Sequence, residues 1–109
     1  MVKWTLSEYK ADAEKIFNAL AATYPDVFKA AIVYSGVGAG CFMSIAGGID
    51  AWNNTCADGQ SIATPQAWAN AVFNMYPGYN GTRPKMQIYH GSSDAILKPQ
   101  NYQETMKQW

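Results

Sequence analysis

Charge is scarce in this chain. Of its 109 residues only 15% are charged, and eight basic side chains balance eight acidic ones. Without a basic patch the sequence offers nucleic acid no electrostatic footprint. Long apolar runs are missing too. None approaches the ~20 residues needed to span a bilayer, so no membrane partner is expected. Residues 1–20 are charged and amphipathic, which is not the pattern of a signal peptide. There is one histidine, His90, and there are two cysteines, Cys41 and Cys56, with no CxxC pair. So sparse a ligand set argues against a bound metal.

What is present suits one globular domain. Hydrophobic residues make up 49% of the chain, enough for a core at this length. Thr5-Leu6-Ser7-Glu8 reads as a capping box for a first helix. Leu6, Tyr9, Ala13, Ile16, Phe17 and Leu20 recur after it at helical spacing, and Pro25 closes the region. "AAIVYSG" (30–36) reads as a buried strand. Residues 36–63 read as one long loop, rich in Gly, Asn, Asp and Ser. "TPQAWANAVFNMY" (64–76) is a helix with Thr64 as N-cap and Pro65 at its first position. Trp68, Ala71, Val72 and Met75 form its apolar face. "KMQIYHG" (85–91) reads as a second strand. A last helix runs from near Pro99 to Trp109, with Tyr102, Met106 and Trp109 on one face. Helix, strand, helix, strand, helix is an α/β order and implies a parallel sheet. Two strands alone would leave bare edges open to self-association.

The cysteine pair has three readings: two inert core thiols, a metal site, or a disulfide. A disulfide would close a loop of about 15 residues and contribute roughly 3 kcal/mol by chain entropy. Two glycosylation sequons, at Asn53 and Asn80, lie in turn-like stretches. Together with the cysteines they point towards a secretory origin.

Two stretches invite chemistry. "SGVGAGC" follows a strand, but its glycines do not match the GxGxxG dinucleotide fingerprint, and no helix pattern follows. "YHGSSD" (89–94) also follows a strand and holds the residue types of a hydrolase triad. "GSSDA" (91–95) is GxSxA, close to the GxSxG nucleophile elbow. An elbow must turn directly into a helix, and Pro99 disfavours one there. Ser93 is therefore a weak nucleophile candidate, with Ser92 and Ser93 reading as turn residues. Asp94 stands at the carboxyl end of a strand, where open α/β sheets carry their functional groups. It could orient a histidine, or simply cap the turn. His90, at the strand end, reads as a structural histidine.

The strings "AATYPDVFKAAIVYSGVGAGCF", "GGIDAWNNTCADGQSIATPQAWANAVFNMYPGYNGTRPKMQIYHGSSD" and "PQNYQETMKQW" resemble fungal acetylxylan esterases of carbohydrate esterase family 1. Feruloyl esterases and polyhydroxybutyrate-depolymerase-like esterases belong alongside them. The resemblance covers residues 18–109 and leaves 1–17 as an atypical N-terminal helix. It implies a secreted α/β-hydrolase that removes acetyl groups from xylan with a Ser-Asp-His triad and no cofactor. Within it Asp94 matches the triad acid of an HGSxD segment. Cys41 and Cys56 look like a disulfide pair, and Trp52 of "DAW" matches a tryptophan at the substrate.

Departures from the family pattern set further expectations. The nucleophile register falls on Ala11, within "YKADA", and the amide following it belongs to Asp12. The triad histidine would lie beyond "KQW", and the N-terminal sheet strands are absent. The resulting expectation is a partial α/β-hydrolase domain over 1–109, a three-layer α/β fold with few parallel strands. It would be inactive alone, or serve as a polysaccharide-binding domain through Trp52.

Overall fold

A computed structural model describes residues 16–42 and 52–109. The capping box, the apolar positions Leu6, Tyr9 and Ala13, and the register positions Ala11 and Asp12 lie outside them. The elements run in the expected alternation. Residues 16–23 are helical (α1). Strand β1 (Ala30–Tyr34), a short helix α2 (Asn54–Ala57), helix α3 (Pro65–Met75), strand β2 (Lys85–Tyr89) and helix α4 (Gln100–Gln108) follow.

The two strands pair in parallel, with Val33 opposite Ile88 and Tyr34 opposite Tyr89. Successive side chains on a strand point to opposite faces. One face carries Ala31, Val33, Met86 and Ile88, which are buried or half-buried. The other carries Ile32, Tyr34 and Tyr89, at 52%, 51% and 44% exposure. The Tyr34 and Tyr89 rings stack there, 5.0 Å between centroids. The apolar run 30–36 reads as a buried strand; the described residues cover it on one face only.

Helix α3 begins as its local chemistry dictates. Thr64 Oγ1 accepts from the Ala67 amide at 3.2 Å, and Pro65 occupies the first turn, where no amide is needed. Trp68 and Val72 are buried. Helix α2 interrupts the stretch that reads as one continuous loop. Asn53 caps it, accepting from the Cys56 amide at 3.1 Å, a local signal within a glycine-rich background. The turn beyond α2 passes close to α4. Gly59 has φ +70°, and a Cβ there would sit 2.6 Å from Gln100 Cβ.

Two helices bury faces other than the apolar ones. In α1, Ile16 and Phe17 are exposed at 55% and 49%, while Asn18, Ala21 and Ala22 are buried. In α4, Met106 is 51% exposed, and Asn101, Glu104, Thr105 and Gln108 are buried. Burying polar groups is tolerable only when each is hydrogen-bonded. Asn18 donates to the Val37 carbonyl at 2.6 Å and accepts from Trp109 Nε1 at 3.2 Å. Asn101 donates to the Ala57 carbonyl at 3.1 Å. Thr105 donates to the Asn101 carbonyl at 2.8 Å.

The core has two parts. Val37, Cys41, Cys56, Ala57, Trp68 and Leu97 pack together; Ala22, Ala39 and Val72 form the second cluster. Cys41 and Cys56 are joined in a disulfide, with Cα atoms 5.8 Å apart. Of the three readings open for this pair, the disulfide is the one the fold adopts.

Candidate functional site

Parallel strands end on the same side of the sheet, so the residues after β1 and β2 meet there. Ser35 follows β1 directly. His90 to Leu97 follow β2. The Asp94 amide donates to the Gly91 carbonyl at 3.1 Å and closes a tight turn. Asp94 Oδ1 then accepts from the amides of Ile96 at 3.0 Å and Leu97 at 2.9 Å. Burial pushes the Asp94 carboxyl up. The amides of Leu97 and Ile96, the Ser35 hydroxyl and the nearby His90 outweigh it and hold the group below its ordinary value. Asp94 is a half-buried, pre-oriented carboxylate.

Leu97 fastens this loop to the body of the protein. Its side chain is 2% exposed and belongs to the core cluster around the disulfide. Its carbonyl accepts from His90 Nε2 at 2.7 Å, which assigns the ring proton to Nε2. His90 Nδ1 is buried without a hydrogen-bond partner among the described residues. The ring is thus engaged by the backbone of its own loop. Beyond Leu97, the Lys98 amide donates to the Ala57 carbonyl at 2.8 Å. Ser92 and Ser93 are exposed in the turn, and α4 begins only at Gln100. No helix opens directly behind Ser93.

Trp52 is 46% exposed, with its ring edge-on to Phe42 at 5.2 Å. Phe42 adjoins the disulfide and packs against the same core cluster as Leu97. Asn53, the next residue, is doubly engaged. Besides capping α2 it donates to the Cys41 carbonyl at 3.3 Å. Asn80 is exposed in the turn between α3 and β2. Among the described residues no three His, Cys, Asp or Glu side chains converge on a metal-sized site. No helix among them is long and apolar enough to cross a membrane.

The residue that sequence reasoning missed is Ser35. It is buried, has φ +52°, and its Oγ accepts from the Gly91 amide at 3.3 Å. A left-handed serine has no local sequence signal; only the neighbouring strand end explains it.

A relationship to known proteins is plain in sequence and in structure. The chain is 58% identical, over an alignment of 120 positions, to "Probable acetylxylan esterase A" of Aspergillus clavatus. It is 56% identical to "Acetylxylan esterase A" of Aspergillus ficuum. Both matches cover 100% of this chain, which spans 39% and 40% of those relatives' lengths. The solved structure of an acetyl xylan esterase from Aspergillus awamori superposes with a TM-score of 0.88 at 56% identity. That match covers 91% of this chain and 36% of the other. No family model matches the chain.

Proposed function

Starting from this chain's close relationship to the Aspergillus acetylxylan esterases, we propose that it supplies the acid-bearing part of a serine carboxylesterase that deacetylates xylan. One observation carries this reading. Asp94 is held at the carboxyl end of a parallel strand by the amides of Ile96 and Leu97, as an anion aimed by its surroundings. In a Ser-His-Asp centre the acid holds the imidazole in the right tautomer and stabilises its charged form. The histidine takes the proton of the serine hydroxyl, the serine attacks the acetyl carbonyl, and backbone amides stabilise the oxyanion. Water then releases acetate. Nothing in that sequence requires a metal or an organic cofactor.

Within these 109 residues there is no GxSxG, and the one histidine is bonded to the Leu97 carbonyl. The chain alone therefore holds the acid without its partners and is inactive towards esters. The open sheet face with Ile32, Tyr34 and Tyr89 supports the same reading. Parallel sheets are ordinarily covered on both faces, so this one packs against further structure, or against a second copy when none is supplied. The disulfide and the exposed sequon at Asn80 support a secreted glycoprotein. Asn53, with its amide engaged, is the poorer acceptor.

The test is a graft. Residues 18–109 replace the matching segment of a full-length Aspergillus homologue, and release of acetate from acetylated xylan is measured. Deacetylation is expected to survive the graft and to fall roughly 10⁴-fold with Asp94→Ala. The 109-residue chain alone is expected not to hydrolyse an activated acetate ester. Asp94-dependent turnover by that chain, or a graft indifferent to Asp94→Ala, would overturn the proposal.

A second reading is favoured by the exposure of Trp52. An indole presented beside Phe42 suits stacking on a sugar face, so the chain could bind polysaccharide without hydrolysing it.

A further inference from the structure

His90 and Leu97 close a loop around Asp94. His90 is the first residue after β2, and its Nε2 donates to the Leu97 carbonyl at 2.7 Å. A carbonyl only accepts, so the ring carries its proton on Nε2. Leu97 in turn donates its amide to Asp94 Oδ1 at 2.9 Å. The Ile96 amide reaches the same oxygen at 3.0 Å. One residue, Leu97, therefore receives His90 on its carbonyl and holds Asp94 with its amide.

The two bonds to Asp94 come from within three residues of it. They fix the carboxylate relative to its own turn and leave open how that turn sits on the strand. Between β2 and Asp94 the chain passes through Gly91 and two exposed serines. The His90 ring bridges the base of this loop, from residue 90 to residue 97. On its other side Leu97 is anchored by its side chain, 2% exposed in the cluster around the disulfide. The following amide, of Lys98, donates to the Ala57 carbonyl at 2.8 Å. Leu97 is thus gripped between β2 and α2, and His90 is the β2 side of the grip.

The second ring nitrogen shows what the ring is committed to. His90 Nδ1 is buried without a hydrogen-bond partner among the described residues. Buried polar atoms are ordinarily paired, so the ring tolerates an orphaned acceptor while Nε2 serves Leu97. The choice of side chain matters as well. A triad acid must accept from the catalytic imidazole, and another donor on the same carboxylate would compete. A neutral imidazole has one N–H, and here that N–H goes to a backbone carbonyl. His90 can steady the acid's loop without occupying the acid.

We infer that His90 is a positioning residue for Asp94: by holding the Leu97 carbonyl it fixes, relative to β2, the amide that orients the carboxylate. This rests on reading Asp94 as a triad acid. It gives the one histidine of the chain a part in that centre without contact with substrate or nucleophile.

The test uses NMR on the full 109-residue chain. In the unaltered protein, at a pH where the ring is neutral, the His90 ring nitrogen shifts should report the Nε2–H tautomer. Amide exchange at Leu97 is then compared in His90→Ala and His90→Gln, corrected for global stability. Glutamine can place an amide N–H near the position of Nε2, and both variants remove any charge of the ring. A difference between them therefore reports the hydrogen bond. Leu97 exchange should accelerate about three- to tenfold in His90→Ala and return towards the wild-type rate in His90→Gln. The Asp94 carboxyl should titrate higher in His90→Ala than in His90→Gln. Equal Leu97 exchange in the two variants would overturn the inference. So would an Nδ1–H tautomer in the unaltered protein, a readout that needs no variant to fold. None of these measurements involves catalysis. Failure of Asp94 in the graft would leave them standing, and failure here would leave the role of Asp94 to the graft.

Discussion

Gln108 and Ala39 exchange two hydrogen bonds across 69 residues of chain. The Ala39 amide donates to Gln108 Oε1 at 2.6 Å, and Gln108 Nε2 donates to the Ala39 carbonyl at 2.8 Å. One side-chain amide thus satisfies both backbone groups of a buried residue, as a strand neighbour would. It ties the last turn of α4 to the loop that leaves β1 beyond Ser35.

Gln108→Ala would leave both Ala39 groups unpaired in the core. Each orphaned buried group costs about 1–3 kcal/mol, so a loss of about 2–6 kcal/mol is expected for the two. A urea melt of variant and wild type measures it. Equal midpoints would show that this pair does not hold the loop.

Glu104 is the second tie, and it makes stability depend on pH. The side chain is 2% exposed. Oε2 accepts from Trp68 Nε1 at 2.9 Å and the Ala63 amide at 3.2 Å. Oε1 accepts from Gln100 at 3.0 Å and Lys107 at 2.8 Å. Burial pushes this carboxyl up, but the Lys107 ammonium, the Trp68 indole, the Ala63 amide and Gln100 outweigh it and bring its pKa from 4.5 down to about 2. A carboxyl depressed in the folded state contributes stability that is present above its unfolded pKa and is lost as pH falls. The melting midpoint should therefore drop between pH 4.5 and pH 2. The stability withdrawn is on the order of 3 kcal/mol. Glu104→Gln should be less stable at neutral pH and show a flatter acid limb. A variant that keeps the wild-type acid limb would assign it to other carboxylates.

Trp52→Ala separates binding from folding. With the indole half in solvent, its removal should change stability by less than about 1 kcal/mol. If Trp52 stacks on sugar, retention of the chain on insoluble xylan should be lost in the variant. Equal retention by both proteins would remove Trp52 from the binding surface.

Local chemistry was legible where it acts within a few residues. Thr64 and Pro65 announce the start of α3, and Trp68 and Val72 its buried face. The two short apolar runs announce the strands, and the order of elements announces a parallel pair. The Asn53 cap of α2 was equally local but lay in a glycine-rich background that reads as loop. The faces of α1 and α4 were not legible. Periodicity marks apolar residues as the inward ones, whereas Asn18, Asn101, Glu104 and Gln108 go inward because distant partners satisfy them.

The sequence by itself determined the α/β order, a capped α3, two strands that pair in parallel, and the resemblance through which Asp94 gains a role. Each of these rests on interactions between near neighbours or on strings of residues in order. Only the tertiary structure decided that Cys41 and Cys56 are bonded, that Ser35 is tied to the end of β2 through Tyr89 and Gly91, and that α4 buries its polar face. Those outcomes depend on groups far apart in the chain, because a buried donor or acceptor is stable only where the fold brings it a partner.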